Sequence, residues 1–175
     1  MPDLAASDCE ALSAGLLAQP INAVSSLALV AAAAWLWARS DRWEARTMAL
    51  ALLIAGVGSF AYHGPQPAWA APVHDLGVGL VVVVGGTVAM RSVLASGVAS
   101  LGLPAAVLVT AAIVDVLGRT GRVFCFADSW AQAHALWHVG AAVGLAMLGD
   151  RARSAPVTGD DAPPRRRRGG RSAGP

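Results

Sequence analysis

Five stretches of the chain carry no charged side chain and consist mainly of Ala, Gly, Val and Leu: residues 21–38, 47–62, 76–90, 92–114 and 129–149. A helix rises about 1.5 Å per residue, so a hydrocarbon core about 30 Å thick takes roughly 20 of them to cross. The pattern therefore predicts five membrane-spanning helices. The second and third stretches are short, and reach full length only if His63 and Asp75 lie within the membrane edge. Pro104 interrupts the fourth, whose helix is expected over 101–118. A helix of a soluble bundle shows a polar face, and these stretches show almost none. The expected fold class is an all-α, polytopic transmembrane helix bundle.

Composition agrees. Of 175 residues, 55% are hydrophobic and only 14% charged, where a soluble domain has about 25% charged. This excludes a disordered chain, a collagen-like repeat and a coiled coil. The 13 basic residues are all Arg and face 11 acids. Seven of them follow Asp150, which leaves no broad basic face for nucleic acid.

Arg also sets the expected orientation. With the N-terminus outside, eleven Arg fall inside and only Arg119 and Arg122 fall outside, as the positive-inside rule requires. Trp35, Trp37 and Trp43 then mark the inner boundary, Trp69 and Trp130 the outer one. The first residues carry Asp3, Asp8 and Glu10 and no basic residue. They are unlike a secretory signal peptide, so helix one is expected to be an uncleaved anchor in a plasma (inner) membrane. Residues 1–150 form the membrane domain. Residues 151–175, rich in Arg, Pro and Gly, are expected to be a disordered cytoplasmic tail. Its Arg165–Arg168 run either touches anionic headgroups or serves only as a topology signal.

Cys9 and Cys125 both fall on the outer side, where an oxidising compartment permits a disulfide. The bridge is favoured over two buried thiols. An ionisable group inside a membrane costs at least about 2.5–3.5 kcal/mol, so each one there requires a reason. His63, His74, His134, His138 and Asp75 all fall in the outer leaflet on this topology. His134 and His138 stand at i and i+4, on one helical face about 5–6 Å apart. Two such imidazoles and a third from another helix make a three-His zinc site with one position open to water. His63 is the better third ligand, and His74 reads as interfacial ahead of a partner behind the ligands or a substitute ligand. Ser59, one turn before His63, either hydrogen-bonds at the site or bonds back to its own helix. Asp75 reads both as a general base and as the N-cap of helix three. Asp115 and Arg119 are expected to pair along helix four, and Asp128 to cap helix five. Asn22, Ser25 and Ser26 form a polar stripe on helix one, read as interhelical hydrogen bonds rather than site lining.

Gly58-Ser59-Phe60-Ala61-Tyr62-His63, Asp75 and His134-Ala135-Leu136-Trp137-His138 together resemble the alkaline ceramidase family. That family belongs to a wider group of membrane hydrolases that includes the adiponectin and progestin receptors. The resemblance implies zinc bound by His63, His134 and His138, with Asp75 and Ser59 assisting hydrolysis of a lipid amide. It also implies a membrane-lipid substrate of the ceramide type and a luminal disulfide between Cys9 and Cys125. Two features differ from the family. It has seven helices where five are expected here. Its eukaryotic members bind calcium through an acidic N-terminal stretch, of which Glu10 is present, but Leu12 and Gln19 stand where further oxygen-rich or acidic ligands belong.

Overall fold

The computed structural model describes residues 6–154. They form five α-helices: α1 (Pro20–Arg39), α2 (Trp43–His63), α3 (Ala70–Ser96), α4 (Gly102–Gly118) and α5 (Ala133–Ser154). Short 3-10 turns lie at Ala6–Asp8 and Val98–Leu101, and no strand occurs among the described residues. Four helical segments are long and apolar enough to cross a membrane: α1, α2, α3, and α4 with the turn before it. The expected fifth, α5, falls outside that set. It carries His134 and His138 and ends in the charged Asp150-Arg151 turn, and it packs against all four other helices.

The helices run past the uncharged stretches because charged side chains are accommodated at their ends. Helix α2 begins at Trp43 rather than 47 and takes in Glu44, which is buried. Glu44 pairs with Arg42 at 3.6 Å and with Arg91 of α3 at 3.5 Å. Helix α3 runs on through Arg91, whose guanidinium lies 5.4 Å above the Trp43 ring. Arg39 stacks likewise on Trp35 and Arg46 on Trp37. Long Arg stems lie along apolar surface and their heads rest on aromatic faces, so a charge does not end a helix here.

The start of α5 is a correction. It begins at Ala133, not 129, and Asp128 is too far upstream to cap it. Gln132 organises this segment instead: its buried amide donates to the carbonyls of Phe126, Ala127 and Ser129. The other end is corrected too. The expected tail starts at 151, but α5 continues through Ser154, and residues 155–175 lie outside the described ones.

Helix α2 sits between α1 and α3, and α5 between α1 and α4. Small residues permit these close crossings. A Cβ on Gly77 would lie 2.5 Å from the Ala55 Cα, and one on Gly140 would lie 2.5 Å from the Ala111 Cβ. Helices α3 and α4 are joined by the Val98–Leu101 turn, yet pack on α2 and α5 rather than on each other.

The N-terminal segment is strapped over one end. Cys9 and Cys125 form a disulfide, which closes the free-thiol alternative. Thr120 Oγ1 accepts the Cys9 N–H at 3.1 Å and donates to the Ala6 carbonyl at 2.7 Å. The Glu10 carboxylate accepts the Ile21 and Asn22 N–H groups at 2.7 and 2.8 Å. It satisfies donors that the first turn of a helix leaves open and matches the positive end of the helix dipole.

The bridge closes a loop of more than a hundred residues, so its loss frees a large unfolded ensemble. Replacing Cys9 and Cys125 together by Ser is expected to lower stability by about 2–4 kcal/mol. The check is thermal unfolding in detergent with and without reductant. Wild-type protein should melt lower under reduction, and the double variant should not respond.

Candidate metal centre

The α2 helix ends on His63 because Gly64 and Pro65 follow, and the Gly64 N–H closes back on the Phe60 carbonyl at 2.8 Å. His134 and His138 occupy successive turns at the start of α5. The three rings meet: centroids are 4.5 Å apart for His134–His138, 4.8 Å for His63–His134 and 5.3 Å for His63–His138. One nitrogen from each ring lies within 4.8 Å of the others. Among the described residues no other cluster of His, Cys, Asp or Glu is close enough to hold a metal ion. His63 and His138 are buried, and 11% of the His134 side chain is exposed.

Each ring is held from behind at Nδ1. His63 Nδ1 lies 2.8 Å from Gln19 Oε1. That oxygen is assigned by its neighbour, since Gln19 Nε2 donates to the Glu10 carbonyl at 3.0 Å. His134 Nδ1 lies 2.6 Å from Asp115 Oδ1. His138 Nδ1 lies 2.8 Å from Ser25 Oγ, whose own proton goes to the Asn22 carbonyl. The Gln19 amide oxygen and the Asp115 carboxylate can only accept, so His63 and His134 carry the proton on Nδ1 and present Nε2 as a lone pair.

Those lone pairs face inward. His63 Nε2 and His134 Nε2 stand 3.1 Å apart, with no proton assigned to either. Two lone pairs at that distance repel unless a cation lies between them. Two nitrogens bound to a tetrahedral zinc ion at about 2.0–2.1 Å would be roughly 3.3 Å apart. The donor set and its backing fit zinc, whose His ligands usually give their other N–H to a carboxylate, carbonyl or water.

Ser59 belongs to the site. Its hydroxyl lies 2.9 Å from His138 Nε2 and 3.1 Å from the Ser26 hydroxyl. The Ser25–Ser26 stripe thus does two jobs, joining α1 to α5 and positioning the His138 ring.

Asp75 is not brought to the cluster. Its side chain is 77% exposed and its carboxylate bonds His74 Nδ1 at 3.0 Å. His74, read from sequence as interfacial, lines the cavity instead, stacked on Tyr62 with centroids 4.5 Å apart. The acids at the cluster are Asp115 and Asp8. Asp115 divides its oxygens between His134 and Arg119, the latter at 3.4 Å, so the expected pair with Arg119 exists. Asp8 is buried with Oδ1 4.0 Å from His134 Nδ1. Sequence reasoning missed Gln19, Asp8 and the His134 contact of Asp115. Only Asp115 left a signal, an acid in an apolar helix at the depth of the His residues.

The cluster forms the head of a cavity of about 460 Å³ that lies against α3, α4 and α5. Apart from Ser59 and the His rings, its walls are apolar, with Val81, Val82, Leu108 and Trp137 among them. A polar, cation-binding end on an otherwise greasy cavity suits a molecule with one reactive polar group and a long hydrocarbon part.

Outer partners of metal-bound His matter nearly as much as the ligands. Asp115→Asn and Gln19→Leu are each expected to weaken zinc affinity by about 10–100-fold, read by competition with a chromophoric chelator. Unchanged affinity in both would contradict the backing described here. No family model matches this chain, and no curated protein or solved structure does either.

Proposed function

We propose that this protein is a zinc-dependent hydrolase embedded in a membrane, cleaving the amide bond of a ceramide-like lipid to a fatty acid and a long-chain base. The observation that carries the reading is the convergence of the His63, His134 and His138 rings, one nitrogen of each within 4.8 Å of the others, at the polar end of an apolar cavity. The resemblance of the Ser59–His63 and His134–His138 segments to the alkaline ceramidases points the same way.

The roles follow from the side chains. His63, His134 and His138 hold the ion. Zinc there supplies Lewis-acid activation of water and of a carbonyl group at neutral pH. Once His138 Nε2 is committed to a cation, the Ser59 hydroxyl is released to donate to the amide oxygen, where charge develops as water adds. The proton-transfer role expected of Asp75 passes to His74. With its Nδ1 at 3.0 Å from the Asp75 carboxylate and its ring centroid 6.4 Å from that of His63, His74 would take a proton through Nε2 from the attacking water and deliver it to the departing nitrogen. Asp75 then fixes the ring and its tautomer. One water is consumed, the C–N bond breaks, and the acyl carbon leaves as a carboxylic acid.

Helix α5 is read as a fifth span despite its lower hydropathy, because the four other helices shield its polar positions. The Arg distribution puts the His end outside and the Arg–Trp end in the cytoplasm. A plasma membrane and a lipid partner follow from this reading.

The test is fatty acid release by purified protein from a panel of lipid amides and esters, with and without chelator. Amide cleavage should stop with chelator and return with zinc. Ser59→Ala should lower kcat by about 10²–10³-fold, and His74→Asn should lower kcat while zinc content stays the same. Zinc-loaded protein inert toward every amide and ester, or full turnover in chelator, would contradict the proposal.

A further inference from the structure

The longest connection between helices, residues 119–132, joins α4 to α5 at the His end of the bundle. It carries four large apolar side chains that the protein leaves uncovered: Val123 is 72% exposed, Phe124 49%, Phe126 62% and Trp130 84%. Large apolar side chains gathered on a surface mark a site for a partner or a membrane. The exposure is not slack in the chain. Cys125 is bonded to Cys9. The Ala127 carbonyl accepts the Ala11 N–H at 3.0 Å, and the Thr120 N–H donates to the Ser7 carbonyl at 3.0 Å. Within the loop the Arg122 N–H turns back to the Arg119 carbonyl at 2.9 Å, and the Phe124 N–H to the Leu117 carbonyl at 2.9 Å. The Gln132 amide holds the carbonyls of Phe126, Ala127 and Ser129. Phe124, Phe126 and Trp130 cannot turn inward without breaking these ties, so the loop presents them in a fixed form.

What covers them is indicated by their surroundings. The apolar surface of the two flanking helices leads straight into the loop, with Val116 on α4 54% exposed and Leu136 on α5 55%. Lipid that covers those helices meets the loop next. The loop also offers cations: Arg119 reaches back to Asp115 at 3.4 Å, while Arg122 is exposed and forms no ion pair among the described residues. Aromatic rings settle at the headgroup level of a bilayer, and a guanidinium fork matches a phosphate. Irregular backbone facing lipid is not tolerated in the hydrocarbon itself, which limits such a loop to the interface.

We propose that the 119–132 loop is an interfacial anchor whose partner is the bilayer surface. It lies side-on in the outer leaflet, with Phe124, Phe126 and Trp130 sunk to the boundary between headgroups and acyl chains and Arg122 at the lipid phosphates. The anchor also sets the depth of the His cluster. At one end it continues α4, one turn past the Asp115 that bonds His134; at the other it passes directly into α5, whose second residue is His134. The level at which the loop settles is therefore the level of the site. This rests on reading the chain as embedded in a membrane, but not on zinc or hydrolysis.

The test uses the full chain in phosphatidylcholine vesicles, with Trp130 emission taken as the difference between wild type and Trp130→Phe. The quenchers are phosphatidylcholines brominated near the top or near the end of the acyl chain, and iodide in the water. An interfacial side chain lies about 5–10 Å into the boundary, so shallow bromine should quench Trp130 about twofold or more, deep bromine less, and iodide hardly at all. Carboxylates resist entering the bilayer, so Phe124→Asp combined with Phe126→Asp should raise iodide quenching of Trp130 roughly threefold. An unreactive Cys9–Cys125 pair shows that this variant is folded. Val83→Trp in the Trp130→Phe background reports on the bundle itself, since Val83 is 66% exposed midway along α3; it should respond to deep bromine. Trp130 open to iodide in the wild type would overturn the proposal. Trp130 shielded from iodide and from both bromines would place protein over the loop and overturn it equally. In either case, deep quenching of Val83→Trp would leave the membrane reading standing, and its absence would remove both.

Discussion

Three imidazoles can converge on one point in an apolar bundle only if something turns the same nitrogen of each ring inward. In this protein the turning is done from behind, at Nδ1, by an amide oxygen, a carboxylate and a hydroxyl. In a low-dielectric interior such bonds are strong when made and costly when lost. The elements that supply them are thereby tied to the site: Asp115 from α4, Ser25 from α1, and Gln19 from the segment leading into α1. The ring on α2 and the two on α5 are held by three other parts of the chain.

The N-terminal strap gains a purpose from this. Gln19 and Asp8 lie outside the five long helices, in a segment that has little apolar surface to hold it. The Cys9–Cys125 bridge, the Thr120 bonds and the Glu10 carboxylate at the head of α1 keep the segment in place. Glu10 is thus engaged at the start of α1. At the opposite end the work is done by Glu44 between two Arg and by three Arg–Trp stacks. Polar chemistry gathers at the two ends of the bundle, and the length between is left to close packing and to the cavity.

Much of the site was legible in the sequence because a bundle of long apolar helices turns position along the chain into depth along the bundle. His63, Ser59, His134 and His138 could be set at one level from span boundaries alone, and the structure brings all four together. Depth says nothing about which face of a helix a residue occupies. His74 and Asp75 share a level, but adjacent helical residues point about 100° apart. His74 turns to the cavity and Asp75 away from it, so the carboxylate meets the site only through its neighbour. Gln19 and Asp8 had no depth to be read, because irregular backbone and a bridge across 116 positions put them there. Helices α2 and α3 extend past their uncharged stretches through Glu44 and Arg91, because the pairing and stacking that accommodate those charges are invisible in a list of charges. The start of α5 was read early because the Gln132 amide, not Asp128, organises its approach.

Three imidazoles within reach of one cation are the centre of the site. X-ray absorption at the zinc edge of the purified protein tests that directly. It should show three nitrogen scatterers with imidazole signatures at about 2.0–2.1 Å and one lighter oxygen contact, and Ser25→Ala should disturb that shell without removing zinc. A spectrum with sulfur ligands, with fewer than three imidazoles, or with no bound zinc would contradict it.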